Sequence, residues 1–389
     1  MIKNTKIHYG LNTEIQKIDR EKILFVSDEK IWQNCQKFFP SDFLKKNYKN
    51  LLLKNPKADE KNLKKIAAAL KNCDFILALG SGTINDLCKF TAAQKNISYA
   101  IIPSAASMNG YLSRNASITI SGHKKTLSAT LPEAVFLDLK ILKAAPLKLT
   151  KAGVGDIMCF YSCWFDWYLS HKILGTKFDK KPFELLGKKM NFFVKNFHKF
   201  SLRDEEFLKL LIEILLLSGQ GMTIAKGSYP ASQSEHLIAH TIEMKYPKIA
   251  ATKLHGEMIA VTTLTAARLQ KNLLINPLKN TLSMILQIKE DQSFLANSLN
   301  NFFGKKIADQ CKKEYEQKIS IKPKTEKISP SLKKELQKIH FSEERLKEIF
   351  SHFKIKFLPK SLGLSSKQYQ YCVAYAKFIR NRFTCLDFS

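Results

Sequence analysis

Short apolar runs alternate with amphipathic stretches in the first part of the chain. The runs at 23–27, 75–79 and 98–102 are rich in β-favouring residues and too short for helices, so each predicts a buried strand. The segment 59–70 and the one that begins at Thr83 have helical period instead. Strand, helix and strand in this order predict an α/β domain with a parallel sheet.

The pattern of apolar positions changes after Pro146. Before it, runs at 117–120 and 134–137 predict two more strands, with a turn at Gly122 and His123 between them. After it, helical period predicts helices over about 154–170, 182–200, 204–220, 233–244, 257–270, 280–302 and 306–318. The Lys- and Glu-rich segment 305–348 indicates a charge-rich connection between helices, with a binding arm as the alternative.

These patterns predict two domains. Residues 1–147 would form an α/β domain, and residues 148–389 an all-α domain. The length of 389 residues and the hydrophobic content of 45% suffice for two ordered cores.

Charge and cysteine usage narrow the class of partner. The net charge of +29 favours nucleic acid or an anionic membrane as a partner. Only seven of the 63 basic residues are arginine, so we expect no dedicated nucleic-acid binding. The eight cysteines form no CxxC pair, and Cys159 and Cys163 lie in an aromatic stretch that indicates buried thiols. The apolar segment 207–217 is too short and too charged to span a membrane. We expect a cytoplasmic homo-oligomer, a dimer or larger, without a signal peptide.

A glycine-rich turn is the first candidate for binding chemistry. Gly80-Ser-Gly82 follows a predicted strand and opens a helix, where a backbone can approach a pyrophosphate and helix N–H groups point outward. The spacing is not GxGxxG, and an ordinary βα turn is the alternative. Asp28 ends an earlier strand, where a carboxylate can hold a ribose hydroxyl and favour NAD over NADP. A simple loop aspartate is equally consistent with that position. The loop 103–113 follows the third strand, at the edge where open α/β sheets bind ligands, with a surface loop as the alternative.

Three histidines are concentrated in one stretch of the second half. His236 and His240 are spaced i, i+4 and share a helix face, and His255 stands beside a glycine. Asp156, in Ala-Gly-Val-Gly-Asp at the predicted start of a helix, is the candidate carboxylate, with a helix N-cap as the alternative. One carboxylate and two imidazoles, Asp156, His236 and His255, would suit Zn²⁺, Ni²⁺ or Fe²⁺ and leave positions open for a substrate.

The order of these motifs carries a family resemblance. The matching segments are 80–89, 103–110, 152–156, 166–167, 234–240, 254–257 and 379–387. Together they resemble the sn-glycerol-1-phosphate dehydrogenases, which belong to the superfamily of metal-dependent alcohol dehydrogenases and dehydroquinate synthase-like proteins. The resemblance extends from about residue 7 to residue 387. The Glu-His-Leu block and the last segment are closest to the glycerol-1-phosphate branch.

The resemblance implies a fold and a reaction. The fold is dehydroquinate synthase-like, with the active site in a cleft between an α/β dinucleotide-binding domain (1–147) and an all-α domain that binds metal and substrate (148–389). The reaction is reduction of dihydroxyacetone phosphate to sn-glycerol 1-phosphate by NADH or NADPH, with one divalent metal ion (zinc, nickel or iron). The small phosphorylated substrate would be the partner.

The resemblance also implies roles for individual residues. Asp156, His236 and His255 match the metal ligands, and His240 matches a histidine that contacts substrate and can donate the proton. We expect Asp156 to contact substrate as well. The positions that match cofactor contacts are Gly80, Ser81, Gly82, Thr83, Ile84, Ser104, Ser107 and Ser113.

Three positions depart from the family pattern. Asn109 replaces an aspartate that contacts substrate, and it keeps hydrogen bonding but loses the charge. Ser81 replaces a glycine, and Arg114 stands where proline is frequent. Arg114 and Lys253 are candidate phosphate partners. The departures leave two alternatives: an enzyme of this superfamily for another phosphorylated or acidic carbonyl or polyol compound, or a non-catalytic basic binding protein on this fold.

Overall fold

The computed structural model describes residues 5–11, 15, 18, 20, 22–46, 48–120, 123–276, 292–325 and 328–388. The chain divides into two compact units. The first unit comprises residues 1–153 and 189–223, and the second comprises residues 154–188 and 224–389. The predicted boundary between functional domains at residues 147 and 148 stays a prediction.

A parallel sheet of six strands forms the centre of the first unit, in the order β3-β2-β4-β5-β8-β1. Its strands are β1 (Lys6–Tyr9), β2 (Ile23–Asp28), β3 (Lys49–Leu53), β4 (Phe75–Gly80), β5 (Ser98–Pro103) and β8 (Ala134–Leu137). The inner strands β2, β4, β5 and β8 are buried almost throughout, which explains their continuous apolar runs. The predicted parallel α/β architecture is confirmed.

Helices connect the strands of the first unit. They are α1 (Glu29–Cys35), α2 (Ser41–Lys45), α3 (Glu60–Ala69), α4 (Gly82–Lys95) and α5 (Leu139–Ala144). Asp59 caps α3 by accepting the N–H of Asn62, and α4 ends at Asn96 in the left-handed conformation. The helices predicted over 59–70 and from Thr83 are therefore present.

A small hairpin lies outside the main sheet. It pairs β6 (Asn115–Ile120) with β7 (His123–Ser128) in antiparallel register. The strand predicted over 117–120 is present, whereas β7 was not predicted because its sequence, His-Lys-Lys-Thr-Leu-Ser, has little apolar character. Gly122 of the predicted turn lies outside the described residues.

The described residues of the second unit form helices and short helical turns without a strand. The α-helices that follow β8 and α5 along the described chain are α6 (Leu147–Ile157), α7 (Cys159–Leu174), α8 (Lys181–Asn196), α9 (Glu205–Ile224), α10 (Ser234–Lys245), α11 (Pro247–Ala250), α12 (His255–Ile275), α13 (Gln292–Phe303), α14 (Lys305–Ile319), α15 (Pro330–Ile339), α16 (Glu343–His352) and α17 (Ser366–Tyr375). The boundaries between the units fall within α6, α8 and α9. Of the predicted helix 280–302, the part before residue 292 lies outside the described residues.

The helix predicted over 306–318 is present as α14, but the rest of the Lys- and Glu-rich segment 305–348 was wrongly interpreted as a connection. Most of its described part is helical, in α14, α15 and the start of α16. Each helix buries a few apolar side chains at helical spacing, such as Tyr315, Leu336 and Leu346, while the charged residues take the outer faces. The abundance of charge therefore reflects solvated helix faces rather than a linker.

One helix is apolar enough to resemble a membrane span. By length and composition α9 could cross a bilayer, and 67% of its most apolar window is buried in this structure. The core helix of a globular protein has the same composition, so packing accounts for the apolar character of α9.

Candidate functional site

A glycine allows two helix ends of the second unit to meet. A Cβ atom on Gly155 would lie 2.2 Å from the carbonyl oxygen of Gly256, so a larger residue there would force α6 away from the start of α12. This approach places Asp156 beside His255, the first residue of α12. Asp156 itself lies in the last turn of α6, so the prediction that it begins a helix is wrong.

Three side chains converge at this meeting point. The Nε2 atoms of His236, in the first turn of α10, and His255 are 3.2 Å apart, and His255 Nε2 is 3.9 Å from Asp156 Oδ1. The three ligand atoms all lie within 4.8 Å of one another. Two imidazole nitrogens on one tetrahedral zinc ion are about 3.4 Å apart. The spacing and the donor types therefore fit a single divalent ion.

A buried carboxylate fixes the ring of His236. Nδ1 of His236 lies 2.8 Å from Glu235 Oε1, which also accepts the N–H of Gln233. Burial raises the pKa of Glu235, but the hydrogen bond and the electrostatic attraction of His236, then the N–H of Gln233 and the Cys163 thiol, lower it to about 2. A hydrogen bond from Nδ1 of His236 to the Glu235 carboxylate leaves the Nε2 lone pair facing His255 and Asp156.

A second group of possible ligands shares His236. Cys159, Glu235 and His236 also lie within 4.8 Å of one another. However, Nδ1 of His236 already donates to Glu235. The hydrogen bond with Cys163 lowers the pKa of the Cys159 thiol, but burial and the carboxylates of Glu235 and Asp156 raise it overall, to about 11. Both cysteines are buried, as predicted.

Asp166 stabilises the start of α10 through hydrogen bonds. Its carboxylate accepts the backbone N–H groups of Ser234 and Cys385, at 3.2 and 3.1 Å, and the side-chain amide of Gln270 at 3.2 Å. The motifs 166–167 and 379–387, to which sequence reasoning assigned no role, are thereby joined to the histidine helix. Arg382 adds a contact, because its guanidinium donates to the carbonyl of Ser232.

His240 and Lys253 lie in the second unit, close in sequence to His236 and His255 respectively. The His240 ring centroid is 6.3 Å from that of His255, and its Nδ1 lies 2.9 Å from Glu243 Oε2. The side chain of His240 is 28% exposed, so its ring is accessible. Lys253 Nζ donates to the carbonyl of Ser361 at 2.9 Å, and a phosphate would have to share this ammonium group.

The predicted cofactor positions gather at one edge of the sheet in the first unit. The strand order reverses at β2, because β3 lies on one side of it and β4 on the other. Ser27 pairs with Leu79, so Asp28 and Gly80 end neighbouring strands. Such a switch point is the usual ligand-binding crevice of an open parallel sheet.

The glycine-rich turn forms the start of α4. A Cβ atom on Gly80 would lie 2.5 Å from Ile84, so only glycine permits this tight turn. Ser81 occupies the N-cap position without a side-chain cap, and Gly82 and Thr83 follow as the first helical residues. Asp28 caps α1, because its Oδ1 accepts the N–H groups of Lys30 and Ile31. A ribose contact of Asp28 would add to this role.

The loop after β5 is held from inside by a buried lysine. Lys89 Nζ donates to the carbonyls of Gly110 at 2.5 Å, Ser113 at 3.2 Å and Asn115 at 3.1 Å. Burial lowers the pKa of Lys89, while Asp86 opposes this shift. Sequence reasoning missed Lys89, and its signal was a lone lysine on the apolar face of a predicted helix.

The serines of this loop are buried in the first unit. Ser104, Ser107 and Ser113 are less than a tenth exposed, and Ser113 Oγ already contacts the carbonyls of Gly110 and Asn115. Ser104 instead donates its backbone N–H to Gly80. A nucleotide would therefore meet mainly the backbone of this loop.

Asn109 and Arg114, two of the three departures from the family pattern, differ in their surroundings. Asn109 is half-buried, and its Nδ2 donates to Ser218 Oγ of α9 at 3.3 Å. A Cβ atom on Gly219 would lie 2.5 Å from the Asn109 carbonyl oxygen, so α9 and this loop are in close contact. The side chain of Arg114 is exposed.

The chain is similar in sequence to known proteins. Residues 5–146 match the sequence profile of iron-containing alcohol dehydrogenases. The chain is 36% identical over 223 residues to glycerol-1-phosphate dehydrogenase [NAD(P)+] of Thermococcus sibiricus, and 33% identical over 208 residues to that of Bacillus subtilis. These matches cover 57% and 52% of this chain, and 62% and 52% of the two relatives.

The fold is also found among solved structures. Maleylacetate reductase from Rhizobium sp. strain MTP-10005 is similar with a TM-score of 0.63, over 96% of this chain and 89% of that protein. The sequence identity is only 12%, so this similarity concerns the fold alone.

Proposed function

We propose that the chain is a metal-dependent, NAD(P)-linked oxidoreductase of the superfamily of iron-containing alcohol dehydrogenases, whose sequence profile its residues 5–146 match. Its substrate would be dihydroxyacetone phosphate, which it reduces to sn-glycerol 1-phosphate, the compound in the names of its sequence relatives. The convergence of Asp156, His236 and His255 is the observation that carries the proposal. The chain matches only 52–62% of the length of those relatives. The proposed activity therefore rests on the geometry of this site and not on the names of the relatives.

The three candidate ligands suit a catalytic rather than a structural ion. One carboxylate and two imidazoles leave coordination positions for a substrate oxygen, whereas a structural zinc site has four protein ligands. A divalent ion held there would act as a Lewis acid on the substrate carbonyl. Asp156 contributes the negative charge, and it is buried, which keeps water from screening that charge.

His240 is the residue that we assign to proton transfer. It lies one turn after His236 on the same face of α10, with its ring 6.0 Å from that of His236. The Glu243 carboxylate accepts a hydrogen bond from Nδ1 of His240 and stabilises the charged imidazolium. Because Nδ1 is engaged in this way, Nε2 is the atom that would give up the proton. The product oxygen would receive this proton.

The nucleotide would bind at the switch point of the sheet in the first unit. The start of α4, from Gly80 to Ile84, offers backbone N–H groups and a positive helix end to the pyrophosphate. Asp28 would contact the ribose, and the loop with Ser104, Ser107 and Ser113 would line the site. NAD or NADP supplies the hydride in such enzymes.

A spectrophotometric assay tests the proposal. Purified protein is freed of metal, loaded with Zn²⁺ or Ni²⁺, and given dihydroxyacetone phosphate with NADH or NADPH. The expected result is cofactor oxidation that requires the metal and is lost in His236→Ala. His352→Ala, which changes an exposed histidine of the same unit, should keep both metal and activity. Bound metal without any cofactor oxidation would refute the proposed reaction.

Asn109 supports a second candidate, in which the same chemistry acts on another phosphorylated or acidic carbonyl compound. The amide cannot accept a proton as the family's aspartate can. A panel of phosphorylated and carboxylated aldehydes and ketones distinguishes the two candidates by kcat/KM.

The cytoplasmic location and the homo-oligomeric state of the protein remain predictions.

A further inference from the structure

Glu235 is a fully buried carboxylate that the proposed reaction does not use directly. We propose that it is a positioning residue that sets metal affinity by holding the His236 ring in one tautomer and one orientation. This inference rests on the proposed metal site, and it assigns a role that neither the family profile nor the names of the relatives imply.

The contacts of Glu235 leave its carboxylate no rotational freedom. Oε1 receives the N–H of Gln233 at 2.7 Å, Nδ1 of His236 at 2.8 Å and the Cys163 thiol at 3.1 Å. Oε2 lies 2.8 Å from Ser162 Oγ. The donors come from α7 on one side and from the start of α10 on the other. The carboxylate is therefore fixed before any ligand arrives.

This fixed carboxylate decides which nitrogen of His236 can bind metal. A proton on Nδ1 is required for the hydrogen bond to Glu235, so the lone pair resides on Nε2, the atom that faces His255. Without the carboxylate, the ring would populate both tautomers and could rotate. Loss of such a partner of a metal-binding histidine typically weakens metal binding by about 10- to 100-fold.

The same contacts argue against a second metal site on Cys159, Glu235 and His236. An ion there would have to displace the proton on Nδ1 and at least one donor to Glu235. Cys159, Glu235 and His236 are also all buried. We therefore interpret Glu235 as an outer partner of the first site.

The chain contains a matched control for this proposal. Glu243 contacts Nδ1 of His240 at 2.9 Å, nearly the same distance as in the Glu235–His236 pair. Both pairs lie on α10 and join a glutamate to Nδ1 of a histidine. His240 is not among the convergent ligands, so its glutamate should not influence metal affinity.

The test measures Zn²⁺ affinity of metal-free protein by competition with a chelating dye. Glu235→Gln should bind Zn²⁺ about 10- to 100-fold more weakly, while Glu243→Gln stays within about threefold of the wild type. With Co²⁺ in place of Zn²⁺, the visible absorption bands should change in Glu235→Gln only, because the ligand geometry changes. Wild-type affinity and an unchanged Co²⁺ spectrum in Glu235→Gln would overturn the proposal, as would loss of Zn²⁺ in Cys159→Ala.

A second variant covers the case in which Glu235→Gln does not fold. Ser162→Ala keeps the charge of Glu235 but removes a contact to Oε2, and it should weaken Zn²⁺ binding several-fold; wild-type affinity in this variant would overturn the proposal. Failure of the metal site itself gives a different result, since His236→Ala would then bind Zn²⁺ as the wild type does.

Discussion

The Nε2 atoms of His236 and His255 lie 3.2 Å apart although the two residues are 19 positions apart in the sequence. The first turn of α10 and the first residue of α12 supply them, and the last turn of α6 adds Asp156. Three helix ends thus form the candidate site. Its geometry therefore depends on how closely these helix ends pack.

Gly155→Ala should damage the site through the backbone. The new Cβ atom would lie 2.2 Å from the Gly256 carbonyl oxygen and force α6 and α12 apart. Overpacking of this kind costs about 1–3 kcal/mol, and the shift should also weaken Zn²⁺ binding. Chemical unfolding and a metal titration measure both effects.

Gly187→Ala is the control for this change. Gly187 lies in α8, and a Cβ atom there would meet nothing within 4 Å, so alanine should stabilise the helix by up to about 1 kcal/mol. If Gly155→Ala matched Gly187→Ala in stability and in Zn²⁺ affinity, the close helix contact would not be needed for the site.

Asp156→Asn should abolish metal-dependent activity while the protein stays folded. Asparagine keeps the shape of the side chain but removes the negative charge beside the two imidazoles, and we expect a loss of Zn²⁺ affinity of at least about a hundredfold. Elemental analysis after gel filtration measures bound metal, and circular dichroism checks the fold. Retention of stoichiometric zinc by Asp156→Asn would exclude Asp156 as a ligand.

Asn109→Asp restores the residue type that the family resemblance implies. Ser218 Oγ can donate to a carboxylate as it now accepts from the amide, so the loop should keep its conformation. If the chain has drifted toward another substrate, kcat/KM for dihydroxyacetone phosphate should rise in this variant. If the chain already acts on dihydroxyacetone phosphate through Asn109, the substitution should leave kcat/KM unchanged or lower it.

The stability of the second unit should depend on pH through Glu343. The hydrogen bond from Arg268 lowers the pKa of Glu343, and the hydrogen bond from Lys347 adds to this effect. Partial burial acts in the opposite direction, and the pKa is about 2. The ionised form therefore stabilises the fold above pH 4.5, and this contribution is lost as the pH falls from 4.5 toward 2. Because the Arg268 side chain is 56% exposed, we expect only about 1 kcal/mol.

The free energy of unfolding of Glu343→Gln, measured from about pH 7 to about pH 3.5, tests this dependence. The deficit relative to the wild type should be constant down to about pH 5 and then shrink. Glu344→Gln removes the neighbouring exposed contact to Lys271 and should have a smaller effect. A deficit that grows on acidification would contradict the assignment.

Thiol reactivity should distinguish Cys73 from the other cysteines. Cys73 is partly exposed, whereas the other seven are buried. Burial raises the pKa of the thiols of Cys35 to about 11 and of Cys311 to about 12, so these thiols remain protonated at about pH 8. Iodoacetamide should modify the native protein at one position, identified by mass spectrometry. Cys73→Ser should remove this fast reaction, and fast labelling of Cys159 or Cys163 would contradict their burial.

The inner strands of the sheet could be predicted because burial on both faces leaves a continuous apolar run, as in β4. The edge strands β1 and β3 expose most of their residues and carry no such run, so their sequences do not distinguish them from loops. The hairpin strand β7 was not predicted, because it also lacks a continuous apolar run. What decides these strands is pairing with a neighbour, which local sequence does not encode.

The candidate ligands could be predicted from residue type and from the family resemblance, but their local structure could not. Two glycines before Asp156 are typical of a turn, yet Gly155 lies inside α6. A glycine is required there because the start of α12 packs directly against it. Glu235 and Lys89 were missed because a charged residue beside a ligand or on a helix is usually solvated. Their roles arise from burial, which depends on elements distant in the sequence.

Anomalous X-ray diffraction at the zinc edge, on crystals of the zinc-loaded protein, tests the metal site most directly. We expect one strong peak within about 2.0–2.2 Å of Nε2 of His236, Nε2 of His255 and a carboxylate oxygen of Asp156. A peak on the Cys159 side of His236, bound through Nδ1, or no peak at these three residues in zinc-loaded crystals, would contradict the proposed site.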